Sequence, residues 1–84
     1  MSTSLSWMPP PKEVKQHYIG LKYEIGKYFE EDYNGGTGSW TAGNELIPFL
    51  KGLQAATSYK EVKTDAQELI DAIGKYGEVV LTIS

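Results

Sequence analysis

Six apolar residues set the first constraint on this chain. At ~100° per residue, Val14, Tyr18, Leu21, Ile25, Tyr28 and Phe29 fall within an arc of about 100°, and Glu13, Lys15, Gln16, Lys27, Glu30 and Glu31 lie outside it. That period predicts an amphipathic helix over residues 12–32. Pro11 suits its first turn, because the missing N–H would have had no intrahelical partner there. Gly20 and Gly26 sit off the stripe at roughly 1 kcal/mol each relative to Ala. They either admit close approach of another backbone or are simply tolerated.

An amphipathic helix needs something to bury against, and the chain has little to offer. Its 84 residues suffice for one small domain, residues 1–84, with one core. There is no Cys and a single His, which excludes a disulfide framework and a Cys/His zinc site. The core must therefore be efficient, or a partner must cover additional apolar surface. No apolar stretch approaches the roughly 20 residues that span a bilayer, and no basic region followed by an apolar run opens the chain. The expectation is a soluble, cytoplasmic protein without a membrane partner.

The remaining elements follow from shorter patterns. Ser4-Leu5-Ser6-Trp7-Met8 alternates as a strand does and stops at Pro9-Pro10-Pro11. Four glycines in the eleven residues from Tyr33 to Gly43 predict a loop with no regular structure. Asn44 offers an N-cap to a short helix carrying Leu46, Phe49, Leu50 and Leu53 at i, i+3, i+4, i+7. Val62, Ala66, Leu69, Ile70 and Ile73 share a face. A third helix is expected over residues 65–76, with an extra turn before it and Gly77 as its left-handed C-cap. Residues 79–83 are β-branched and apolar, hence a strand whose partner would be the one at residues 5–8. Reversal of direction at each of three helices would leave the two strands parallel. The predicted class is α+β, mainly helical: three helices with a small two-stranded sheet formed by the N- and C-terminal strands. Its core would hold Leu5, Trp7, Val14, Tyr18, Leu21, Ile25, Tyr28, Phe29, Leu46, Phe49, Leu50, Leu53, Leu69, Ile70, Ile73, Val79, Leu81 and Ile83.

Charge and motif narrow the function by exclusion. The formal net charge is −3, and every one of the eight basic residues is Lys. Scattered lysines without Arg lack the bidentate fork and the basic patch that nucleic-acid surfaces use, which argues against a nucleic-acid partner. His17 with Glu13 one turn away is what an ordinary helix surface looks like, and a general base would also need a pocket. Glu30, Asp32, Asn34 and Gly35 fit EF-hand positions one, three, five and six. Position twelve is then Thr41, where calcium needs a bidentate Glu. The glycines at 35–38 lack the Lys-Ser/Thr of a phosphate loop and do not follow a strand. No catalytic residue, metal ligand or cofactor is assigned.

What remains is an aromatic surplus around the loop. Tyr33 and Trp40 bracket the glycines, Tyr23 lies opposite the stripe, and Glu30, Glu31 and Asp32 close the helix. Rigid aromatics at a surface anchor protein interfaces. The expected function is a non-catalytic protein–protein interaction module, a small accessory or inhibitory protein. Its partner-binding residues would be Tyr23, Glu30, Glu31, Asp32, Tyr33 and Trp40. The edge of the terminal strand at residues 79–83 would offer a homodimer contact. The alternative is a small-ligand binder that uses the Gly-rich aromatic loop 33–44, with Tyr33 and Trp40 as a stacking platform.

Overall fold

The chain's last strand holds its sheet together. In the computed structural model, which describes residues 4–14 and 20–84, eight elements follow one another. They are β1 (Leu5–Met8), β2 (Lys12–Val14), α1 (Leu21–Phe29), β3 (Gly38–Ala42), a 3-10 turn (Asn44–Leu46), α2 (Ile47–Ala56), α3 (Lys60–Tyr76) and β4 (Val79–Ile83). The α+β class is as expected, but the sheet has four strands rather than two, in the order β2-β1-β4-β3. All neighbours are antiparallel, β1 with β4 included, against the expectation of parallel terminal strands. It presumed two strands joined by three helices, whereas two further strands interrupt that path.

Each correction has a local cause. The three prolines do not merely end β1. They form the turn of a hairpin in which Leu5 faces Val14 and Trp7 faces Lys12. Residues 12–14, read as the first turn of a helix, are therefore a strand. Val14 is buried under either period, being seven residues before Leu21, so its burial does not distinguish them. The helix itself runs from Leu21 to Phe29, with Gly20 as an extended N-cap, and Glu30 already leaves helical geometry at its C-cap. Tyr18 and His17 lie outside the described residues.

The glycine-rich segment divides in two. Residues 33–37 are irregular, and Gly38–Ala42 is a strand, against the expectation of loop throughout. Gly costs a strand some stability, but Trp40 and Thr41 favour one, and pairing with Val79–Ile83 decides the outcome. The third helix begins at Lys60, five residues before the expected start, and Gly77 ends it with φ +83. Gly43, rather than Asn44, stands at the N-cap of the 3-10 turn.

The register puts Lys12, Trp7, Leu81 and Trp40 in one row across the sheet, and Val14, Leu5, Ile83 and Gly38 in the next. This face packs against Leu21 and Ile25 of α1, Leu46 and Leu50, and Ala66, Leu69 and Ile73 of α3. Ser6, Met8, Ser39, Thr41, Val80 and Thr82 alternate onto the other face, where all are exposed or half-exposed. Gln54 joins α2 to α3 by donating to the Lys63 carbonyl (3.0 Å) and to Gln67 Oε1 (3.1 Å). Lys12 at the sheet's edge reaches Glu68 of α3 at 2.8 Å.

Because Leu81 lies between Trp7 and Trp40 and is fully buried, Leu81→Ala should cost about 3 kcal/mol in chemical denaturation. Val80→Thr, one residue away on the open face, should stay within about 0.5 kcal/mol.

Candidate functional site

The residues that sequence reasoning grouped around the loop separate into two layers. The inner layer rests on Gly26. Its missing side chain leaves room for Tyr33, whose ring carbon would lie 2.5 Å from a Cβ at that position. Tyr33 is only 8% exposed, and its hydroxyl donates to the Gly36 carbonyl at 2.8 Å. Tyr23 meets it edge-on at 5.8 Å, and the Lys22 ammonium lies 5.3 Å from the Tyr23 ring centre. Tyr33 thus pins the irregular segment to α1 and presents little surface to a partner. Burial, then the neighbouring Tyr23 and Glu30, raises the pKa of its hydroxyl.

The outer layer rests on Gly38. A Cβ there would overlap the Trp40 ring, so the indole lies back along its own strand over the glycine. It stacks on Phe29 with centroids 5.1 Å apart and planes 3° from parallel. Tyr28 meets Phe29 edge-on at 5.0 Å and Phe49 at 4.7 Å. The result is a continuous band, Trp40–Phe29–Tyr28–Phe49, running from β3 across the end of α1 to the start of α2. Tyr28 is 40% exposed and the other three are half-buried. All but Trp40 were expected in the core. The helical stripe does carry Tyr28 and Phe29 inward, but α1 is only nine residues long and its last turn projects beyond the core.

Glu30, Glu31 and Asp32 follow the band directly and are exposed. Beyond β3, Glu45 accepts a hydrogen bond from the Gly43 N–H at 3.0 Å, and that bond holds its carboxyl below the usual range. Val79–Ile83 offers no edge, because β1 and β3 occupy both of its sides. The homodimer expected through that strand has no edge to use there. The sheet ends at β2 and β3 instead. Among the described residues no three His, Cys, Asp or Glu side chains are grouped to hold a metal ion, and no helix is long and apolar enough to cross a membrane. A cleft of about 300 Å³ between the proline turn and α3 lies elsewhere, lined by Trp7, Pro10, Lys12, Glu68 and Tyr76 among others. No protein-family model matches the chain, and neither a curated protein nor a solved structure does.

Gly→Ala in an exposed helix interior stabilises by about 1 kcal/mol, yet Gly26→Ala should destabilise by roughly 1–3 kcal/mol, because Tyr33 must move. On a Tyr33→Ala background the sign should revert, which a double-mutant cycle in urea would read. The raised Tyr33 pKa means that the folded state holds this proton more tightly than the unfolded chain does. Its contribution is complete below the ordinary tyrosine pKa and is lost as pH rises through the raised value. Spectrophotometric titration should therefore show one tyrosine ionising late, in step with alkaline loss of stability, and Tyr33→Phe should remove it.

Proposed function

We propose that this chain is a non-catalytic interaction module, a small accessory or inhibitory protein of the cytoplasm that binds another protein through the Trp40–Phe29–Tyr28–Phe49 band. The observation that carries the reading is the continuity of four ring systems at the surface of so small a domain, each held by its neighbour. Apolar surface left in water at one place costs stability that a core position would have contributed, and such patches mark sites of association. Ring-on-ring packing also fixes the rotamers before a partner arrives, so little side-chain entropy is lost on binding. Of the residues expected to touch a partner, Trp40 and the acids at 30–32 lie at the band. Tyr33 supports it from below, and Tyr23 packs on Tyr33. Trp40 has one face already stacked on Phe29, so the band rather than the loop is read as the binding surface.

Tyr28→Ala removes the most exposed ring of the band at little cost to the core. Partners cross-linked to a tagged copy in cells should be lost with Tyr28→Ala, with binding weakened about tenfold or more, and retained with Val80→Ala on the opposite face. Partners that survive Tyr28→Ala unchanged would overturn the assignment.

A further inference from the structure

The two edges of the sheet are built differently. β2 has three residues, carries Lys12 and Glu13, and follows directly on three prolines. Charge, brevity and proline are the usual means of stopping a strand from pairing with another chain. β3 has five residues, Gly38-Ser39-Trp40-Thr41-Ala42, and none of these protections. The ladder fixes which of its backbone groups are free. Ser4 and Ser84 exchange two hydrogen bonds, at 2.8 and 3.0 Å, so on β4 the even-numbered residues bond toward β1 and the odd-numbered ones toward β3. Gly38, Trp40 and Ala42, opposite Ile83, Leu81 and Val79, therefore spend their N–H and C=O groups on β4. Ser39 and Thr41 turn theirs outward, away from the sheet. Gly43, next in the same alternation, has its outward N–H capped by Glu45.

We infer that a basic, extended segment of a partner protein adds to β3 as a fifth strand, paired with Ser39 and Thr41. This rests on the interaction reading above and specifies its partner. An added strand alternates its side chains. Every second one falls on the helix side beside Trp40, against the aromatic band, and the others fall beside Ser39 and Thr41. The charge of the partner follows from the chain around the edge. From Tyr28 to Leu50, which includes all of β3, there are four acids, Glu30, Glu31, Asp32 and Glu45, and no basic residue, while Lys27 in the last turn of α1 and Lys51 in α2 border the stretch and leave it net acidic. The C-terminal end of α1 adds the negative pole of its dipole. Arg on the inward positions meets ring faces with carboxylates beyond them, a cation–π site with counter-charges. A second copy of this chain would instead bring the same acids against themselves.

The test uses the whole chain labelled with 15N and a short blocked peptide in which arginine and valine alternate with threonine. Its counterpart carries glutamate for arginine. The basic peptide should shift the Ser39 and Thr41 amides and slow their hydrogen exchange, with the acidic one at least about tenfold weaker. Thr41→Pro removes an outward N–H and no ladder bond, so it should keep the wild-type melting temperature within a few degrees and lose peptide binding. Shifts confined to Tyr28 and Phe49, or unchanged binding by Thr41→Pro, would overturn strand addition and leave the interaction reading intact. Concentration-dependent protection of the Ser39 and Thr41 amides without peptide would replace the partner by a second copy. No shift with either peptide at the band or the edge would overturn the inference, while the Tyr28→Ala result stands as the separate test of the parent reading.

Discussion

Everything in this molecule depends on the pairing of Val79–Ile83 with strands on both sides. β1 and β3 are not paired with one another; β4 lies between them and joins β3 to the β1–β2 hairpin. Leu81 is the centre of that arrangement, with Trp7 on one flank and Trp40 on the other and the helices beneath. With no cysteine to form a disulfide, the pairing of β1 with β4 closes the chain, extended by the reciprocal Ser4–Ser84 bonds. Most of the sheet is therefore non-local in sequence, and only the β1–β2 hairpin can form early. Such pairing has to overcome the entropy of closing almost the whole chain before burial compensates for it.

The same device appears twice on top of this frame. At Gly26 and again at Gly38 a missing side chain makes room for an aromatic ring from a nearby residue, Tyr33 in one case and Trp40 in the other. Neither glycine is required by its backbone angles, since only Gly35 and Gly77 adopt positive φ among the described residues. Their value lies in space. Tyr33 fastens the irregular segment to α1, and Trp40 fastens β3 to the same helix through Phe29. The two rings together hold the edge strand against the end of α1, and so make strand, helix end and acidic run a single surface.

How much of this could be read from the sequence depends on which patterns were self-sufficient. The face of α3 and its Gly77 cap were legible, because a seventeen-residue helix repeats its period several times. Residues 12–14 misled because one valine satisfies both a helical and a strand period, and because proline marks helix starts as readily as turns. β3 was hidden for a different reason. Gly38 argues locally against a strand, and only the distant Val79–Ile83 argues for one, so no short window contains the answer. The aromatic band was hidden by its own amphipathic logic. Tyr28 and Phe29 lie on the correct stripe, but periodicity says which side of a helix faces inward and not how far along the helix the core extends. The acids at 30–32 and Trp40 were legible as candidates from their places at the end of the helical stripe and beside the glycines. Their meeting with a bare sheet edge needed the fold.

That meeting also accounts for a feature that is otherwise unfavourable. Glu30, Glu31 and Asp32 stand at the negative end of α1, where each acid works against the helix dipole, and Glu45 adds a fourth charge beyond β3. Among the described residues none of these carboxylates is held in an ion pair. Acids placed to stabilise a helix belong at its N-terminus, so Glu30, Glu31 and Asp32 weaken the helix they close. An exposed strand edge likewise risks pairing with any chain it meets. The two liabilities moderate each other. On the proposed strand addition, like charge around the edge would oppose a second copy and attract a cationic strand, so the same acids would serve against self-association and for partner selection. Stability given up at one helix end would then become discrimination at the neighbouring strand.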